Sequence, residues 1–137
     1  MSGNELLLDT TVFPEYGRVE ISDVAGRDSP DSGGRVAGVA YTERTVAVFT
    51  MSADQAMDTG HDVSVRVFRG TESRGLGTVV FDGPVSFSDP PRLGVYQLLD
   101  DEGDEVPIDR VGPVRVQIFV NPPTEAEEVN VLIRYDV

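Results

Sequence analysis

The 137-residue chain has no cysteine, no lysine and no tryptophan, and a single histidine. Without cysteine there are no disulfides, no thiolate nucleophile and no Cys-ligated zinc. Without lysine there is no Schiff base and no phosphate-binding loop of the G-x-x-x-x-G-K-[ST] kind. His61 allows a Ser-His-Asp relay by arithmetic, but no nucleophile motif such as G-x-S-x-G accompanies it. It lies in TGHDV at an expected strand start and reads as an exposed turn residue whose main use would be a pH-sensitive contact. Two carboxylates can serve a glycosidase as acid and base. The acids here are too plentiful to single out a pair, and tryptophan platforms for sugar rings are missing. The sum of these exclusions is a non-enzymatic chain. Long apolar runs are missing too: nothing approaches the roughly 18 residues that mark a membrane-spanning helix. The opening MSGNELLLDTTVFPEYG begins with an acid rather than a base and is unlike a signal peptide. A soluble, cytoplasmic protein is expected.

What is abundant is negative charge. There are 24 acidic residues against 11 arginines, a formal net charge of −13. Nucleic acid is bound mainly through Lys and Arg that release counterions from phosphate, so direct DNA or RNA binding is not expected. Anionic membrane surfaces are disfavoured for the same reason. A basic protein partner is favoured, because opposite fields steer encounter. Solubility or a salt-rich cytoplasm would also account for the sign, and a GC-rich genome for the missing lysine.

Period-2 alternation recurs along the whole chain and helical periodicity is scarce. DVSVRVFRG places Val63, Val65 and Val67 on one face. GPVRVQIFV does the same with Val114, Val116, Ile118 and Val120, leaving Arg115 and Gln117 outward. EVNVLIRYDV sets Val129, Val131, Ile133 and Tyr135 inward, with Asn130, Arg134 and Asp136 outward. Such patterns belong to half-buried antiparallel strands. NELLLDTTVF, GRVEISDV, RVAGVAYTE, RTVAVFTM, GTVVFDG, PVSFSD and RLGVYQLL are less regular strand candidates. Val46, Ala47, Val48 and Phe49 leave no polar face, which predicts a central strand. Ser52 with Gln55, and Thr124 with Glu127, match capping boxes, each able to start a single helical turn. SPDSGG, residues 29–34, is the most loop-like stretch. About eight to ten short strands with Gly and Pro turns predict one all-β domain over residues 1–137, an antiparallel β-sandwich.

The stretch LLDDEGDEVPID, residues 98–109, carries six carboxylates in twelve positions. An EF-hand register started at Asp100 puts Glu105 where Gly belongs and Val111 where Glu belongs; placing Gly103 correctly puts Leu98 at the first ligand position. Both registers fail. A looser calcium site, with help from Asp58, Asp62 or Asp89, stays open. The plainest reading is a hairpin with a tight turn at Glu102-Gly103-Asp104, Gly supplying positive φ and Pro107 marking an edge strand. That reading leaves the concentration of charge unexplained. Residues 100–137 hold ten acids and three arginines, a net −7, against −4 for 1–50 and −2 for 51–99. Like charges about 5 Å apart repel by roughly 0.8 kcal/mol per pair even in water. A cationic partner would relieve this. The candidate partner-binding residues are therefore Asp100, Asp101, Glu102, Asp104 and Glu105, joined by Glu125, Glu127 and Glu128. No cofactor is expected.

Four segments carry a family resemblance: NELLLDTTVFPEYG as an opening strand, GVAYTERTVAVFTM as paired strands ending in an aromatic, DVSVRVFRG before a long middle, and EVPIDRVGPVRVQIFVNPP followed by EEVNVLIRYDV as closing strands. In this layout the chain resembles the competence protein J family of bacterial nuclease inhibitors. The resemblance implies a one-domain β-sandwich that binds and blocks a nuclease, and it carries over no catalytic residue. The expected function is inhibitor or immunity-type antidote, occluding a basic cleft. A calcium- or ligand-binding module and a structural or assembly subunit are the alternatives.

Overall fold

A computed structural model describes residues 3–29, 33–36, 38–97, 100 and 102–134. Tyr135 and Asp136, both assigned a face from the sequence, and Pro30 to Ser32 of the SPDSGG loop lie outside them. The described residues form eleven strands and one helix: β1 Glu5–Val12, β2 Arg18–Asp23, β3 Gly34–Val36, β4 Val39–Tyr41, β5 Thr45–Phe49, α1 Ala53–Thr59, β6 Val63–Arg69, β7 Thr78–Phe87, β8 Arg92–Tyr96, β9 Asp104–Pro107, β10 Gly112–Asn121 and β11 Glu128–Arg134. One sheet runs β1-β6-β11-β10-β7 and the other β3-β4-β5-β2-β8-β9. The segments 77–83 and 84–89, expected as separate strands, form the continuous β7, whose Pro84 sits on a sheet edge where its missing N–H costs no ladder bond.

The inward valines make the core. Val63, Val65 and Val67 of β6, Val116 and Ile118 of β10, and Val129, Val131 and Ile133 of β11 face Val19, Ile21, Val46, Val48 and Leu93 across the sandwich, all essentially inaccessible to water. Each such side chain contributes about 1.5–3 kcal/mol on burial. β5 is interior to its sheet, as its unbroken apolar run predicts.

Two expectations need correction. The sandwich is not wholly antiparallel, because β6 and β11 run parallel, Val65 opposite Val129 and Val67 opposite Val131. The cause is the 70–77 segment, which crosses the outside of the sheet, so that β11 enters between β10 and β6. Asn130, expected outward and solvated, is buried there and its Nδ2 donates to the Leu76 carbonyl at 2.8 Å. β11 is covered on both faces, and its nearly unbroken apolar run VNVLI suits a parallel neighbour. The second correction concerns the capping boxes. The Ser52 box is real: Ser52 Oγ accepts from the Gln55 N–H at 3.2 Å and Gln55 Oε1 from the Ser52 N–H at 2.7 Å, opening α1, which Gly60 closes at φ 81°. The Thr124 box starts no helix. The 122–127 loop is closed by the Glu127 N–H donating to the Asn121 carbonyl at 3.1 Å, and Glu125 takes φ 53°. Ser52→Ala is expected to cost about 1 kcal/mol and to fray α1, seen as faster amide exchange over residues 53–59.

A candidate docking site at the acidic end

Strand register places four loops together at one end of the sandwich. Val12 lies opposite Val63, Arg18 opposite Phe49, Asp104 opposite Val95 and Asn121 opposite Glu128. The loops 13–17, 50–62, 97–103 and 122–127 therefore share this end. Backbone bonds tie three of them, the Thr50 N–H donating to the Gly17 carbonyl at 2.9 Å and the Met51 N–H to the Ala126 carbonyl at 3.0 Å. None of the four loops contains an arginine. Together they expose Glu15, Asp54, Asp58, Asp62, Asp100, Glu102 and Glu125, with Glu127 half-buried. Tyr16 and Met57 stand among them, 50% and 70% exposed. Aromatic residues and methionine are enriched at the cores of protein interfaces.

The predicted residues divide within this end. Asp100 and Glu102 are exposed, and their carboxylates make no hydrogen bond or ion pair with the described residues. Asp104, also exposed, begins β9 and accepts from the Thr10 hydroxyl of β1. Glu105 is engaged by Arg92, whose Nε donates to Oε1 at 2.8 Å. Glu125 is exposed, Glu127 lies 3.3 Å from His61 Nε2, and Glu128 is half-buried at the start of β11. Asp101 lies outside the described residues. Glu15 and Asp54, which the sequence reading did not single out, join the group because the topology brings their loops to the same end. The signal for them was available as four separate segments without a single arginine.

The hairpin carrying Asp100 differs from the expected tight turn. Pairing of β8 with β9 stops at Val95–Asp104, and seven positions, 97–103, separate the two strands. Gly103 is required, but by close approach rather than by positive φ: a Cβ there would lie 2.1 Å from the Val95 carbonyl oxygen and 2.8 Å from the Tyr96 ring. Gly103→Ala is expected to displace the turn and to cost about 1–3 kcal/mol through overpacking, read as a lower urea midpoint. Pro107 does sit on an edge strand, β9.

Between this turn and the end of β1 lies a mostly polar pocket of about 300 Å³, lined by Thr11, Val12, Phe13, Val95, Gln97, Asp100, Glu102, Gly103 and Asp104. Gln97 Oε1 is buried there without a hydrogen-bond donor among the described residues. The pocket thus presents carboxylates, which suit a cationic side chain. Behind the turn, Tyr96 is buried with its hydroxyl pKa raised above the ordinary tyrosine value by desolvation and by the nearby Glu105 charge. Among the described residues no three acidic or histidine side chains converge as a metal site, those offered for a loose calcium site included. No described helix is long and apolar enough to cross a membrane.

A solved structure decides what this architecture is like. The chain folds like ComJ. The ComJ structure, from Bacillus subtilis and described as an inhibitor of the DNA-degrading activity of NucA, superposes with a TM-score of 0.67. The match covers 97% of this chain and 98% of ComJ at 6% sequence identity, so what is shared with ComJ is the fold. No protein-family model and no curated protein matches the chain at the level of sequence.

Proposed function

We propose that the chain is a non-enzymatic inhibitor that docks its acidic end on the basic cleft of a nuclease. The observation that carries this reading is the convergence of four arginine-free acidic loops at one end of a fold shared with a nuclease inhibitor. Nuclease clefts are basic because they hold phosphate. An acidic end is attracted to such a cleft, and association is steered by the opposed fields. Exposed Tyr16 and Met57 supply apolar contact once water is displaced. The pocket beside Asp100 takes a lysine or arginine side chain of the partner, with Asp100 and Glu102 as counter-charges.

The test has two steps. The chain, immobilised, is exposed to lysate of its source cells at low and at moderate salt, and retained proteins are identified by mass spectrometry. Any retained nuclease is then purified and its DNA degradation measured with increasing amounts of the chain. Inhibition that reaches completion at equimolar ratio and weakens with salt is the expected result. A retained nuclease that degrades DNA at its full rate in the presence of the chain would overturn the proposal.

A further inference from the structure

We infer that Arg27 is the positioning residue of the acidic end, the group that fixes where Asp100 and Glu102 stand. Its guanidinium makes contacts in three directions. Nε and Nη2 donate to Glu20 Oε1 at 3.1 and 3.0 Å. Nη2 also donates to the Gln97 carbonyl at 2.8 Å, and Nη1 to the Asp100 carbonyl. The plane lies over the Tyr96 ring, 4.1 Å from its centre.

Each contact has a purpose in this geometry. Glu20 is the anchor: it sits on β2 inside its sheet, is 2% exposed, and is held from its other side by Arg18 Nη2 at 3.1 Å. The two carbonyls bracket the stretch 97–100, where the Asp100 N–H also donates to the Gln97 carbonyl at a long 3.3 Å. Tyr96 is the last residue of β8, so stacking on it aligns the turn with the strand that delivers it. Arg27 also places a positive charge behind carboxylates that repel one another. Only arginine combines a flat fork of donors with a stacking face; lysine, a point charge on a flexible stem, cannot make these contacts together. The loop after β2 thereby governs a turn some seventy residues away in sequence.

The functional consequence rests on the docking reading above; the clamp itself does not. Two variants test it, Arg27→Lys, which keeps the charge, and Arg92→Gln, which removes an arginine from the same hairpin at Glu105, away from the turn. Amide hydrogen exchange is measured on the whole chain. Arg27→Lys is expected to speed exchange over residues 97–104 at least tenfold while β10 and β11 stay unchanged, and Arg92→Gln to leave the turn as it was. An unchanged turn in Arg27→Lys, or equal loosening in both variants, would overturn the inference. Should Arg27→Lys loosen β10 and β11 as well, the Arg27 Nε–H in the unmodified protein decides: slow exchange with solvent supports the clamp and fast exchange refutes it. The association rate of each variant with the nuclease from the preceding experiment separates the two readings. A loosened turn that binds the nuclease at the unmodified rate leaves the clamp standing and removes the acidic turn from the docking surface.

Discussion

The variant Asp100→Arg/Glu102→Arg is expected to associate with a basic partner at least tenfold more slowly at low salt and to melt like the unmodified protein. Both carboxylates are exposed and carry no ion pair among the described residues, so reversing them breaks nothing inside the fold. Electrostatic steering changes on-rates by about 10- to 1,000-fold, and the field here is concentrated by loops that hold no compensating arginine. The effect should shrink as ionic strength approaches 0.15 M, where the screening length falls to about 8 Å. Stopped-flow association at two salt levels reads both quantities. Glu43→Arg/Glu72→Arg is the matched control, since these exposed acids belong to the 42–44 and 70–77 segments and not to the four clustered loops. Equal slowing by both variants would mean that net charge matters and the acidic end does not.

The largest stability loss is expected inside the other sheet. Glu20→Ala removes one carboxylate that serves two guanidinium groups, Arg18 at 3.1 Å and Arg27 at 3.0 Å, with side-chain exposures of 3% for Glu20, 8% for Arg18 and 21% for Arg27. Breaking a buried ion network from one side typically costs about 3–5 kcal/mol, because the remaining charges stay desolvated. That is a large share of the roughly 5–15 kcal/mol that stabilises an ordinary domain. Urea unfolding followed by circular dichroism measures it, and a loss below about 1 kcal/mol would show that water reaches the site. Replacing the whole network, Arg18→Met/Glu20→Leu/Arg27→Met, should unfold closer to the unmodified protein than Glu20→Ala alone, since well-packed apolar side chains can substitute for a complete buried ion network. The triple variant should nonetheless speed amide exchange at Asp100 and over 102–104, which separates the stability of the sandwich from the placement of its acidic end.

By itself the sequence determined that the protein is built of strands and which faces of β6, β10 and β11 turn to its core. The period of two is a local property: alternation at Val63–Val67 and Val114–Val120 fixes the buried face whatever the partner strand is. The family resemblance read from strand layout agrees with the fold shared with ComJ, because layout can be read at the level of strands even where sequence identity is 6%. Ser52 and Gln55 announced α1 for the same local reason, since a capping box is closed within four residues.

Only the tertiary structure decided the rest. The parallel pairing of β6 and β11 depends on a crossing of residues 70–77 that no local pattern encodes. The Thr124 box failed because a bond from Glu127 to Asn121 outweighed a local preference. Gly103 was legible as a turn glycine, but its cause, the approach of the Val95 carbonyl, comes from the neighbouring strand. The charge surplus of residues 100–137 was visible in the sequence, whereas the union of Glu15, Asp54, Asp58 and Asp62 with Asp100 and Glu102 required strand order and register to bring four loops to one end. Arg27 was silent for the same reason. Its contacts to Gln97 and Asp100 span 70 and 73 residues of the sequence, and contacts of this kind exist only once β2 and β8 have paired side by side in their sheet.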